Sequence, residues 1–482
     1  MATERRRAVW RRCCLTLAAP VLGGCVLQPP AQVALPPAPA AWSAAPDAAP
    51  ATPAHADWWR ALHDPALDAL IADAERDAPT LDQAAARILQ ARAALAGADA
   101  GTRPTLGGSL QATRGTSTIS FPVAMENQAS AALSPGWEID LFGRLRHNRA
   151  GARARLDAQV EDARLARLTL QTQIADTLLQ RRACALTEAR LRDTVQSSET
   201  TLALTRIKRD AGFAAPLDEA RSRTSVGEAR GTLVSTSGQC RQLTQSLADL
   251  AGLDAAGVET RLAEGGALAN TPMPIAPALR TALPAAVLAG HPSLIAARRN
   301  ADAAFEDIGG ARAARLPSLN LSALLGTSWI QIGQIDQGIN NWSLGATLAG
   351  TLYDGGAGAA QVDSAQGRYQ EALALLRQTL RDTVRDVELA LLAGASARDG
   401  EREATATVAA AEDLFRASEA AQQAGRLSLF DLETARSALL AAQSTLIAAQ
   451  RDRARAWVAL IKSTANPLPP AADAGAPVGA AP

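Results

Sequence analysis

Few side chains in this chain are placed to make or break bonds. The four histidines (His55, His63, His147 and His291) are scattered, and the three methionines give no thioether set. No Gly-rich phosphate loop, His/Cys/Asp cluster or nucleophile motif is present, so the pattern points to no enzyme, metal centre or cofactor. The five cysteines are more informative. Cys25 ends Leu22-Gly23-Gly24-Cys25, an apolar-small-small-cysteine string that resembles a bacterial lipobox. Arg5, Arg6, Arg7, Arg11 and Arg12 precede it, followed by an apolar run from Cys13 to Leu22, too short to span a membrane. The resemblance implies cleavage after residue 24, lipidation of the Cys25 thiol and acylation of the new N-terminus. Val26 follows, not the Asp that tends to retain lipoproteins at the enterobacterial inner membrane, so outer-membrane sorting is the expectation.

Charge and composition narrow the class further. Lys+Arg and Asp+Glu both number 48, a balance unlike that of a nucleic-acid binder. Processing removes five arginines and Glu4, leaving 43 cations against 47 acids, net −4. Residues 25–57 read as the lipidated cysteine and an extended tether, with eight prolines among alanines in 26–56. Residues 466–482 read as a disordered Pro/Ala-rich tail.

The elements between these ends repeat. Pro79 and Pro292, Pro104 and Pro317, Gly143 and Gly356, Gly212 and Gly425, and Asp218 and Asp431 all differ by 213. Five landmarks at one offset make the body a tandem duplication, 58–255 and 280–465, joined by a linker at 256–279. Each repeat reads as a helix (65–101; 280–314), an alternating stretch (104–142; 317–354), a very long helix (144–211; 357–424), a turn at 212 or 425, and a last helix. At 1.5 Å per residue the long helix is a rod of about 100 Å. Its apolar stripe is Leu373, Leu376, Leu380, Val384, Val387 and Leu391. A heptad seam follows at Leu432, Ala435, Leu439, Ala442, Leu446 and Ala449.

The alternating stretches carry the period of strands, as in Ser318-Leu319-Asn320-Leu321-Ser322. Each is expected to be a hairpin turning at Met125–Gln128 or Gly338–Asn341. Phe121, Trp137, Phe142, Trp329, Trp342 and Tyr353 put six of the 16 aromatics here, as an interfacial belt requires. Four strands cannot close a barrel, and an open edge in lipid is prohibitive, so if these segments enter the outer membrane several chains must share one barrel; hairpins packed on a soluble core are the alternative.

Cys184 and Cys240 remain after lipidation, each 28 residues from Gly212. A helical hairpin turning there sets them side by side. A disulfide is the expectation in an oxidising compartment, with two separately buried thiols as the alternative.

At this point the chain resembles a family, the outer-membrane efflux channels of the TolC/NodT type. The resemblance rests on Asp57-Trp58-Trp59-Arg60, Asp64-Pro65-Ala66-Leu67, Trp137-Glu138-Ile139-Asp140-Leu141-Phe142-Gly143-Arg144, Leu352-Tyr353-Asp354-Gly355-Gly356 and Ala424-Gly425-Arg426-Leu427-Ser428-Leu429-Phe430-Asp431-Leu432. It covers nearly all of 57–464. It implies a mainly α fold with a small membrane β part. Three chains would form a twelve-stranded outer-membrane barrel and a periplasmic tunnel of helices. It implies a passive conduit of a tripartite pump exporting drugs or small molecules, with a periplasmic adaptor and an inner-membrane transporter as partners. The turns become adaptor-docking tips, with Gly212, Phe213, Ala214, Gly425, Arg426 and Leu427 as candidates. Asp431 matches a position near the periplasmic gate, where a trimer makes a ring of three carboxylates. Asp218 is its repeat partner, or simply a helix cap. The second acid that the family often carries three residues on is Thr434 here. A channel for type I protein secretion is the alternative within transport, and a non-pore lipid-anchored coiled-coil adaptor is the alternative outside it.

Overall fold

A computed structural model of the chain describes residues 39–44, 57–116, 125–264, 266–268, 271–278, 281–282, 284–332 and 334–465. The signal segment, Cys25, most of the tether, Phe121 and the tail lie outside the described residues. A 3-10 turn at Trp58–Leu62 leads into α1 (Pro65–Asp77), α2 (Pro79–Ala100), β1 (Thr105–Thr116), β2 (Met125–Ile139), α3 (Arg144–Asp210) and α4 (Pro216–Ala251). Then come α5 (Ala255–Glu264), α6 (Pro284–Gly290), α7 (Pro292–Ala313), β3 (Ser318–Ile332), β4 (Ile335–Ala349), α8 (Ala357–Gln423) and α9 (Leu429–Thr464). The bounds of α2, α3 and α4 recur 213 residues later in α7, α8 and α9 at both ends. Three readings change. The helices expected over 65–101 and 280–314 are each two helices, because Pro79 starts a new one after extended Ala78 and Pro292 starts a new one after His291. The linker at 256–279 holds most of α5. Neither expected turn is a turn: Met125–Gln128 opens β2, and Gly338–Asn341 lies inside β4, whose pairing closes at Ile332 and Ile335.

The chain divides into two compact units, the first comprising Leu89–Ala158 and Ala297–Leu376. Its centre is one antiparallel sheet in the order β1-β2-β3-β4. The register aligns Gly108, Leu133, Leu325 and Trp342 in one row across all four strands, and Ser109, Ala132, Gly326 and Asn341 in the next. Side chains alternate between faces along a strand. One face therefore carries Leu106, Leu110, Leu133, Trp137, Leu321, Leu325, Trp342 and Leu344, and the other Ser109, Gln111, Ser130, Asn320, Ser328 and Ser343. β1 and β4 each pair on one side only. Below the sheet, α7 packs close to α3: a Cβ on Gly309 would come within 2.6 Å of the His147 ring. His147 Nδ1 lies 2.6 Å from Glu306 Oε2, and Arg155 donates to Asp307 at 2.5 Å.

The second unit comprises Pro37–Ile88, Gln159–Ala296 and, among the described residues, 377–465. Its core gathers Trp58 and Trp59, Leu67 and Leu70 of α1, Ile174 and Leu178 of α3, Leu247 of α4, Val258 of α5 and Trp457 of α9. Trp58 and Trp457 meet with ring centroids 5.6 Å apart. The two-tryptophan motif is thus part of the packing that joins the start of the body to its last helix. Asp64 caps α1, accepting from the Ala66 and Leu67 amides, and pairs with buried Arg182.

His291, the residue before Pro292 and α7, is buried with Nδ1 2.7 Å from Ser293 Oγ. Burial pushes its pKa down to about 4, against the upward pulls of the Ser463 backbone and the Asp386 charge. The unfolded chain therefore binds the extra proton first. The stabilisation is fully present above about pH 6.5 and is lost as pH falls towards 4, up to about 3 kcal/mol. Thermal melts between pH 7 and 4 should fall more steeply for the wild-type chain than for His291→Gln; parallel pH profiles would refute this.

Candidate gate and docking tips

The two hairpin tips are built alike from local rules. α3 ends on Gly212 at φ +79° and α8 on Gly425 at φ +70°, left-handed values that cost an L side chain strain. At each end two amides bond back: Gly212 N–H to the Arg209 carbonyl and Phe213 N–H to that of Lys208. Gly425 N–H bonds to Gln422 and Arg426 N–H to Ala421 in the same way. This is the Schellman stop, made twice at the 213 offset.

The following helices start on caps. Pro216 is the first residue of α4, and Asp218 accepts from the Ala215 amide at 3.1 Å. In α9, Ser428 is the cap: it accepts from the Asp431 amide at 3.2 Å and donates its hydroxyl to Asp431 Oδ2 at 2.6 Å. Both candidate gate acids thus occupy the third position of a helix, where a carboxylate satisfies end amides and complements the helix dipole. Both are exposed. Asp218 caps its helix through the Ala215 amide, Asp431 instead accepts from the hydroxyl of its capping serine, and neither enters the other's hydrogen-bond network.

Around the caps the repeats differ. Glu219, buried in α4, is held by Arg206 at 3.2 Å and by Arg209. Its repeat partner is Leu432, buried without charge. Ser197 of α3 donates to Glu433 of α9 at 2.9 Å. Arg436 bonds the same serine and sits 5.3 Å over the Phe415 ring. A groove of about 820 Å³ runs beside the tips, lined by Ser198, Leu217, Arg221, Phe430, Glu433 and Thr434. Phe213, Leu217 and Phe430 are exposed, Phe213 to 85%. Arg426 is exposed, while Ala214 and Leu427 are half-buried. Glu219, Glu433 and Arg436 escape a reading of the sequence, where they look like solvated charges on helix faces; only Phe430, an apolar residue in the first turn of α9, stands out.

Cys184 and Cys240 are joined between α3 and α4, with Cα atoms 5.6 Å apart. Their repeat partners are Ala397 and Arg453; at that level Arg453 instead pairs with Glu401 of α8 at 2.5 Å. The first helical hairpin carries a covalent link where the second has an ion pair. Among the described residues no helix is long and apolar enough to cross a membrane.

Comparison with known proteins agrees with this architecture. Nodulation protein T of Rhizobium leguminosarum bv. trifolii is 28% identical over 469 residues, 94% of this chain and 97% of that protein. The pyoverdine export outer membrane protein OpmQ of Pseudomonas putida is 28% identical, covering 84% of this chain and 87% of its own. Among solved structures, the outer-membrane channel OprN shares the fold, with a TM-score of 0.80 at 22% identity over 90% of this chain and 98% of that one. The outer membrane efflux protein family matches twice, at residues 70–253 and 283–466, and both bounds differ by the same 213 residues as the repeat. With both halves of the body matched in register, the chain belongs to the outer membrane efflux protein family.

Proposed function

We propose that three copies of this chain form a passive outer-membrane conduit of a tripartite pump that exports drugs or other small molecules. The single observation that carries this reading is the sheet: mainly apolar on one face away from the hairpin ends, mainly polar on the other, and with β1 and β4 each paired on one side only. A sheet of this kind is stable in lipid only when β4 of one copy pairs with β1 of the next. Three copies supply twelve strands, within the range of known barrels. The apolar face then meets lipid and the Ser/Asn/Gln face lines the lumen.

The remaining assignments follow from that assembly. Cys25 carries the lipid. The tips at Gly212, Phe213 and Ala214 and at Gly425, Arg426 and Leu427 dock a periplasmic adaptor, which links the conduit to an inner-membrane transporter. Exposed Phe213 and Phe430 supply the apolar contact. Asp431 forms the ring of three carboxylates at the periplasmic end, and the cap on Ser428 holds each carboxylate in place. Asp218 contributes less, being committed to the Ala215 amide. The Cys184–Cys240 bond keeps the first helical hairpin in register.

Mass measurement in detergent should give a trimer, and planar bilayers should show discrete conductance steps. Asp431→Ala should raise the single-channel conductance severalfold and weaken block by multivalent cations, since three like charges at one constriction hold cations there. A monomer without conductance refutes the channel. A trimer whose conductance and cation block ignore Asp431→Ala refutes only the gate assignment.

A further inference from the structure

One bulky side chain stands in the Pro/Ala-rich arm. Trp42 is the only aromatic among residues 26–56, and it is fully buried. Its indole packs against Val287 of α6, Val387 and Leu391 of α8 and Leu460 of α9. Its Nε1–H donates to the Ala282 carbonyl at 2.8 Å. The next two amides, of Ser43 and Ala44, donate to the two oxygens of Glu388 at 2.7 and 3.0 Å. Such bonds to a charged acceptor are stronger than neutral ones. They also require two residues with an N–H after the tryptophan, which much of a proline-rich arm cannot offer. The arm is therefore not a bare tether at this point. It enters a formed site that reads an indole followed by two free amides, and the site draws on the start of the second repeat and on both of its long helices.

We propose that Trp42–Ala44 is a latch that fixes where the lipid leash begins. The proposal rests on the reading that Cys25 carries the lipid. From Cys25 to Trp42 is 17 residues, a reach of at most about 60 Å for a fully extended chain. With the latch open, the next buried residue among those described is Trp58, 33 residues from Cys25, and the reach roughly doubles to about 115 Å. The latch thus sets how far the pocket at Glu388 lies from the bilayer surface, and it couples the anchor to the second repeat. The occupant is the chain's own arm: Trp42 and its pocket both belong to the second unit of the fold.

Two measurements on the full-length, membrane-extracted protein test this. Elastase should cleave the arm of Trp42→Ala at least tenfold faster than that of the wild type, with the body left intact. Glu388→Gln keeps the indole pocket and should speed cleavage severalfold, so the test stands even if Trp42→Ala assembles poorly. Deleting residues 27–36 leaves a seven-residue leash between Cys25 and Trp42 and should cut assembled outer-membrane protein at least fivefold. Adding Trp42→Ala to that deletion should restore it to within twofold of the undeleted chain. Equal cleavage rates overturn the latch; a harmless deletion, or one that Trp42→Ala fails to rescue, overturns its role in the leash. The mass of the N-terminal peptide keeps the two readings apart: an unmodified Cys25 refutes lipidation, while arm protection still reports on the latch.

Discussion

Leu133→Arg is expected to abolish assembly in the outer membrane, while Ser130→Arg on the same strand leaves it intact. Leu133 lies midway along β2, flanked in register by Gly108 and Leu325 on the apolar face. Ser130, three residues away, falls on the opposite face between Gln111 and Ser328. An arginine facing lipid near the bilayer midplane costs about 2–4 kcal/mol. A trimer incurs that cost three times, a large fraction of ordinary folding stability. An arginine on the other face meets water in the lumen. Heat-resistant trimers on a gel and resistance to an exported dye should both vanish for Leu133→Arg and persist for Ser130→Arg. The reverse pattern, or equal effects, would sink the assignment of the two faces.

The second large effect lies far from the sheet. Arg182 and Asp64 are both nearly fully buried, and two nitrogens of Arg182 bond the two Asp64 oxygens at 2.5 and 2.6 Å. Arg182→Leu leaves a buried carboxylate without its cation, a loss of about 3–5 kcal/mol for a broken buried pair. The melting temperature in detergent should fall on the order of 5–10 °C. Asp64 has a second task, capping α1 through the Ala66 amide at 3.0 Å. Adding Asp64→Ser to Arg182→Leu should therefore recover much of the loss, because serine caps a helix without a charge. A double variant as unstable as Arg182→Leu alone would mean that packing, not the stranded charge, sets the cost.

How far each feature could be read depends on the range of the forces that make it. The offset of 213 and the bounds of the long helices were legible because proline, glycine and capping residues act within a few positions. Gly212 and Gly425 each stop a long helix by local backbone geometry, whereas the break before Pro79 and the cap at Ser428 were read through. The faces of the strands were legible for the same reason, since alternation is a property of neighbouring residues. The hairpin turns were misplaced because Gly338-Ile339-Asn340-Asn341 has turn-forming residues, yet pairing with Asn341↔Gly326 and its neighbours holds the segment in β4. Cross-strand bonds outweighed local preference there.

The candidate site divides the same way. Gly212 and Gly425 were legible as tips, because glycine adopts a left-handed stop without the strain that a side chain brings. That Asp218 caps its helix while Asp431 bonds the serine that caps its own showed only once the helix starts were located to the residue.

By itself the sequence determined a duplicated, helix-dominated body, two amphipathic hairpins, two glycine-stopped tips and the lipobox string. All of these are written in short-range patterns of residue size, polarity and backbone freedom. Tertiary structure alone decided that Arg182 finds Asp64 across 118 residues, that Ser197 meets Glu433 across 236, and that Trp42 crosses 240 to reach Ala282. Such partners have no local signature. An arginine looks the same in solvent as in a buried pair, and a tryptophan in a proline-rich arm looks like a stray aromatic. Only when the chain packs does burial strip water from these groups and leave each with few available partners.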